Sequence, residues 1–103
     1  MQISLYPNEM VIKAADTTHL RNGEGGIQGK LILTNQRVYF KTLDNKNNGQ
    51  SFELLPEEIQ EVMPFKNRLF FPTGMNIVTR EGREMRFLVS KRNDWIEMIV
   101  RLC

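Results

Sequence analysis

Residues 29–40, GKLILTNQRVYF, constrain the fold more than any other stretch of the chain. Two runs of alternating side chains meet at Asn35-Gln36, which the pattern predicts as a two-residue turn. The resulting hairpin sets Thr34 opposite Arg37, Leu33 opposite Val38, Ile32 opposite Tyr39, Leu31 opposite Phe40 and Lys30 opposite Lys41. Directly opposed residues share a face. One face therefore carries Leu31, Leu33, Val38 and Phe40; the other carries Lys30, Ile32, Thr34, Arg37, Tyr39 and Lys41. A slip of one residue would set apolar groups against polar ones, so the pattern selects its own register. Within the turn, Asn35 tolerates positive φ better than Gln36 does.

A second hairpin follows the same logic downstream. A three-residue loop, Arg80-Glu81-Gly82 with glycine in the left-handed position, pairs Thr79 with Arg83, Ile77 with Met85 and Met75 with Phe87. The other face pairs Val78 with Glu84 and Asn76 with Arg86. Around these hairpins, residues 10–15 read as a first strand, with Val11 and Lys13 on one face and Met10, Ile12 and Ala14 on the other. Residues 17–26 read as a loop and residues 43–50 as a polar turn. Residues 51–55 form a short strand with Phe52 and Leu54 facing one way. Pro56-Glu57-Glu58 suits a single helical turn, since proline and carboxylates favour a helix start. Residues 59–65 form a strand that Pro64 places at an edge or bulge, and residues 67–71 a short apolar segment.

From Lys91 the period changes to three and four. Trp95, Ile99 and Leu102 recur on one stripe and Ile96, Val100 and Cys103 on the next, which predicts a helix capped by Ser90 or Asn93. Only Asp94, Glu97 and Arg101 make a polar arc, leaving an apolar arc wider than one end of a small core covers. About seven strands followed by one C-terminal helix give a mainly β fold, a small barrel or sandwich closed at one end by the helix.

The totals bound the function. One domain over 103 residues is large enough for a core without disulfides or metal. Fourteen Lys plus Arg against twelve Asp plus Glu leave a net charge of +2, too balanced for nucleic-acid binding. The lone Cys103 makes no intrachain disulfide, and no apolar run approaches a membrane span. The opening MQISLYPNEM lacks the basic start and apolar core of a secretory signal, so the expected location is cytoplasmic.

The hairpin resembles a known family. Residues 29–40 are similar to the G-x-L-x-L-T-N-x-R-hydrophobic motif of GRAM domains. Ile59-Gln60-Glu61-Val62 resembles the family's I-x-x-V step. The segment from Ile77 to Gly82 resembles its I-x-T-x-x-G hairpin, followed by Phe87 and by Asp94-Trp95 at the helix start. The resemblance implies a pleckstrin-homology-like fold of two near-orthogonal antiparallel sheets and a capping helix. It also implies a regulatory module for lipid membranes or protein partners. The lysine-arginine spacing of strongly phosphoinositide-binding pleckstrin domains is missing, since Leu31-Ile32 follows Lys30.

Catalysis is not expected. His19 is the sole histidine and reads as a solvated loop residue, because metal and triad sites need several converging groups. Cys103 has no histidine near it in sequence, and Glu57, Glu58 and Glu61 read as a solvated acidic rim. No cofactor or metal is implied. Two surfaces remain. In the implied fold the loops bring Arg21, Lys46, Arg80 and Arg83 to one open end, with Lys30 and Lys41 opposed below, an arrangement for an anionic headgroup. The outward Ile32–Tyr39 pair, or Met98 and Val100 on the broad helix arc, suits a protein partner or a second copy in a homodimer. The leading expectation is a non-catalytic protein-binding or self-associating module; the alternative is a peripheral membrane module binding phospholipid headgroups.

Overall fold

A computed structural model of the chain describes residues 4–21, 25–43, 51–65 and 74–103. Among these, seven strands precede one helix: β1 Val11–Arg21, β2 Gly25–Thr34, β3 Val38–Thr42, β4 Phe52–Leu54, β5 Ile59–Phe65, β6 Gly74–Thr79, β7 Glu84–Leu88 and α1 Arg92–Leu102. All pairings are antiparallel, in the order β4-β3-β2-β1-β7-β6-β5. The ladder runs continuously through β1 and leaves β4 and β5, each paired on one side among the described residues, as its two edges, so the sheet does not close on itself.

Both hairpins have the register that side-chain alternation dictates. Lys30 faces Lys41, Leu31 faces Phe40, Ile32 faces Tyr39 and Leu33 faces Val38. In the second, Asn76 faces Arg86, Ile77 faces Met85 and Val78 faces Glu84, with Gly82 at φ 90° in the turn. Their inner faces are the core: Leu31, Leu33, Val38, Phe40, Met75, Ile77 and Phe87 are all buried. Residues 67–71 lie outside the described residues.

Pro56–Glu58 forms one 3-10 turn, closed by the Glu58 carboxylate accepting the Leu55 N–H at 3.1 Å. Pro64 sits in β5, the last strand of the order, where its missing N–H costs no ladder bond.

Three expectations are corrected. Of the expected loop 17–26, residues 17–21 and 25–26 are strand: β1 runs on to Arg21 and β2 starts at Gly25, because Thr17 and His19 take inward positions that an apolar pattern does not reveal. Thr17 Oγ1 donates to the Leu88 carbonyl at 2.8 Å, which satisfies a buried hydroxyl. The faces assigned to the start of β1 also change. A bulge between Val11 and Lys13 breaks the alternation, leaving Met10, Val11 and Ile12 exposed while Lys13 lies 5.6 Å over the Trp95 ring. Finally, neither Ser90 nor Asn93 caps the helix. Lys91 occupies the cap position in the left-handed conformation (φ 56°), and its carbonyl accepts the Asp94 and Trp95 N–H groups.

The helix packs along β5 with Trp95 and Ile99 fully buried. Ile96, Met98 and Leu102 are half-buried against the same core, and Val100 remains exposed. The sheet therefore covers more of the broad apolar arc than its width in sequence implies.

Candidate functional site

Two polar assemblies stand out from this frame, one buried and one open. The buried one explains the T-N-x-R sequence. Thr34 Oγ1 donates to Glu9 Oε2 at 2.6 Å and accepts the N–H groups of Gln36 and Arg37 at 3.0 Å each, which shapes the turn. Asn35 brackets the incoming chain: its Oδ1 accepts the Met10 N–H at 2.7 Å and its Nδ2 donates to the Asn8 carbonyl at 3.1 Å. Arg37 completes the assembly, donating from Nε to Glu9 Oε2 at 2.8 Å and from Nη2 to the Ser4 carbonyl at 2.7 Å. Its guanidinium lies 4.1 Å over the Tyr6 ring and 5.2 Å over the Tyr39 ring. The motif is thus a clamp that holds the N-terminal segment across the first hairpin.

Both charges of the clamp are out of water, with the Glu9 and Arg37 side chains 0% and 5% exposed. Burial alone would raise the Glu9 pKa. Hydrogen bonds from Arg37, Thr34 and the Tyr6 N–H, with the guanidinium charge, outweigh it and lower the value to about 2. The bond to Glu9 likewise raises Arg37 above its ordinary value. At the exposed rim of the clamp, where Glu53 lies 3.4 Å from Arg37, the hydrogen bond to Glu53 raises the Tyr6 phenol.

The open assembly is a cleft of about 1160 Å³ at the gap that the unclosed sheet leaves. One wall is β4 with the 3-10 turn, residues 51–54 and 57–58; the other is the β6–β7 hairpin, residues 79–86, with His19 and Leu20 between them. Five carboxylates (Glu53, Glu57, Glu58, Glu81, Glu84) and three guanidiniums (Arg80, Arg83, Arg86) line it. Arg80 is committed: its Nε donates to the Glu57 carbonyl at 2.8 Å and its N–H to the Glu58 carbonyl at 3.0 Å. Arg86 sits 3.8 Å from Glu84 and 5.5 Å over the Phe65 ring. Arg83 alone of the three has no side-chain partner among the described residues.

The whole chain from residue 1 to residue 102 matches the model of the GRAM domain. The chain belongs to the GRAM domain family. Solved structures agree on the fold, which is pleckstrin-homology-like. The C-terminal domain of an unknown protein from Leishmania infantum superposes with a TM-score of 0.78 at 14% identity, over 93% of this chain and 85% of that one. The Vps36 N-terminal PH domain gives 0.72 at 16% identity, over 96% and 82%. The Slm1-PH domain, solved in complex with inositol-4-phosphate, gives 0.66 at 15% identity, over 89% and 96%. No curated protein matches the chain.

Of the four basic residues expected at one open end, the described residues place two together, and the Lys30–Lys41 pair expected below them lies on its hairpin. Arg80 and Arg83 line the cleft, whereas Lys30 and Lys41 face each other away from it on the β2–β3 hairpin. Lys30 Nζ lies 3.7 Å from Asp16 on the neighbouring strand, which relieves the like-charge contact with Lys41. Arg21 ends β1, and its side chain and all of Lys46 lie outside the described residues. The outward Ile32–Tyr39 pair is also corrected: Ile32 is buried and Tyr39 half-buried under Arg37. Met98 packs against the core, leaving Val100 as the exposed member of the helix pair.

Sequence reasoning missed two features of this GRAM domain. His19 is not a solvated loop residue. It lies half-buried in β1, stacked 5.0 Å from Phe87, with Phe52 at 5.2 Å and Phe40 at 5.3 Å. Glu9 was unassigned, although a carboxylate just before the first strand and an arginine after the turn are the signal for the clamp. Glu57 and Glu58 are exposed as an acidic rim should be, and they line the cleft, whereas Glu61 stands apart on β5.

Proposed function

We propose that this GRAM domain is a non-catalytic interaction module whose principal ligand is a protein segment received at the cleft. The observation that carries this reading is the lining of five carboxylates against three guanidiniums: Glu53 is paired with Arg37 and Glu84 with Arg86, Arg80 is bound to a carbonyl, and Glu57 and Glu81 keep no ion-pair partner among the described residues. A phosphate site needs several uncommitted donors converging on one point. Here only Arg83 meets that description among the described residues, and an entering phosphate would face an excess of negative charge. Support for a non-catalytic role comes from Glu9. It is the carboxylate held far below its ordinary range, yet it is sealed against Arg37 beneath the N-terminal turn, where no substrate reaches it.

A second reading rests on Lys30 and Lys41. Their cross-strand juxtaposition, together with the inositol-4-phosphate that the Slm1-PH domain was solved with, favours a phospholipid-headgroup contact on the outer face of the first hairpin. Asp16 beside Lys30 weakens that field. Vesicle co-sedimentation beside capture on immobilised protein separates the two. The protein reading expects salt-labile retention on anionic vesicles and specific capture that the Glu57→Lys, Glu81→Lys variant abolishes. Saturable sedimentation at near-physiological salt that is lost on Lys30→Ala with Lys41→Ala, with no specific capture, would overturn it in favour of the lipid.

A further inference from the structure

Strand β4 ends the strand order with a ladder to β3 only, through Val38–Leu54, Tyr39–Glu53 and Phe40–Phe52. Among the described residues the backbone groups on its other side have no strand to pair with, which makes a ready template for another chain. The opposite edge, β5, is blunted by Pro64 and carries α1 packed along it. Strand β4 has neither device. Its free side borders the cleft, since all of residues 51–54 line that space.

We infer that an extended peptide segment bearing Lys or Arg side chains adds to the free edge of β4 inside the cleft. This rests on the protein-binding reading and names the chemistry of the partner. Strand addition supplies main-chain hydrogen bonds, and flanking side chains supply the selection. Charge complementarity sets that selection here. The Glu57 and Glu81 carboxylates are exposed on the two walls and have no ion-pair partner among the described residues, while Arg80 is tied to the Glu57 carbonyl. Alternation of side chains along an added strand points every second residue the same way, so a segment with Lys or Arg at every other position presents a cationic row to these walls. Half-buried Phe52 gives the alkyl stems of those side chains an apolar surface to lie on.

The test is an amide-resolved NMR titration of the full chain with an eight-residue peptide of alternating Lys and Val. Controls replace Lys by Glu or N-methylate alternate amides along one edge. The inference expects the largest shifts at residues 51–54 and 80–84 and at least tenfold weaker binding by Glu57→Lys with Glu81→Lys. It also expects loss of binding with N-methylation on the edge that pairs. Both substituted positions are exposed, and unchanged shifts elsewhere confirm that the variant folds. Shifts confined to another surface, equal binding of the Glu peptide, or tolerance of N-methylation on both edges overturns it. Capture of protein partners that the Glu57→Lys, Glu81→Lys change abolishes, without peptide shifts at residues 51–54, removes strand addition while leaving the protein-binding reading of the cleft standing. Saturable vesicle binding that is lost on Lys30→Ala with Lys41→Ala, with neither peptide shifts nor specific capture, removes both.

Discussion

Replacing Glu9 by Gln removes the nearer of the two carboxylates that Arg37 is paired with, leaving Glu53 at 3.4 Å, while keeping nearly the same shape. The guanidinium is 5% exposed and cannot recover its hydration without opening the N-terminal turn. Breaking a buried pair from one side costs ~3–5 kcal/mol, and the amide oxygen of Gln still accepts a hydrogen bond, so the lower end is expected. The same pair makes stability depend on pH. Glu9 moves from an ordinary 4.5 to about 2 in the folded protein, a difference worth about 3 kcal/mol. Because the folded value is depressed, this stabilisation is complete above the unfolded value. It drains away as pH falls from about 5 towards 2, where the unfolded chain takes up the proton first. Against a total of roughly 5–15 kcal/mol for a domain of this size, the loss is large. Urea melts followed by Trp95 fluorescence at stepped pH measure it as the difference between wild type and Glu9→Gln. The reasoning predicts a gap of ~3 kcal/mol at pH 7 that narrows steadily below pH 5. A gap under ~1 kcal/mol, or one that does not change with pH, refutes it.

Other outcomes follow from single contacts. Trp95 is fully buried, so its native emission is expected well to the blue of water-exposed tryptophan, and Trp95→Ala should cost ~3–5 kcal/mol in denaturant melts. A Cβ at Gly29 would come within 2.5 Å of the Lys41 carbonyl and the Phe40 ring, and the backbone atom cannot swing aside. Gly29→Ala should therefore destabilise by ~1–3 kcal/mol, read by the same melts. Asn35→Ala removes both bonds to Asn8 and Met10, and hydrogen exchange should accelerate in residues 8–11 while the second hairpin is unchanged. If a second copy is a partner through the helix, Val100→Glu should lower the mass found by light scattering at micromolar concentration; a monomeric mass for both proteins ends that possibility.

The fold was legible where alternation is clean. Leu31, Leu33, Val38 and Phe40 fix one face so firmly that only one register satisfies them, and the same holds for Ile77 with Met85 and Met75 with Phe87. It failed where polar residues turn inward. Thr17 and His19 interrupt the apolar pattern of β1, and what settles them is a carbonyl 71 residues away and a set of phenylalanine rings from three other strands. The candidate site was less legible still. Glu9 and Arg37 are 28 residues apart and meet only once the hairpin exists. The cleft is bounded by residues from β1, β4 and the β6–β7 turn, and its excess of carboxylates is a property of that assembly. Counting basic residues in loops overestimated the positive field, because it could not see the carboxylates of the acid-lined cleft around Arg80 and Arg83, or Lys30 lying beside Asp16.

The most direct measurement is a paired titration of isotope-labelled protein, one arm with the alternating Lys peptide and one with a soluble inositol phosphate, at the same near-physiological salt. An acid-lined cleft that receives protein predicts saturable shifts at residues 51–54 and 80–84 with the peptide. With the phosphate it predicts only weak, salt-labile shifts near Lys30 and Lys41. Saturable phosphate binding at Arg80, Arg83 and Arg86, with no response to the peptide, would contradict it.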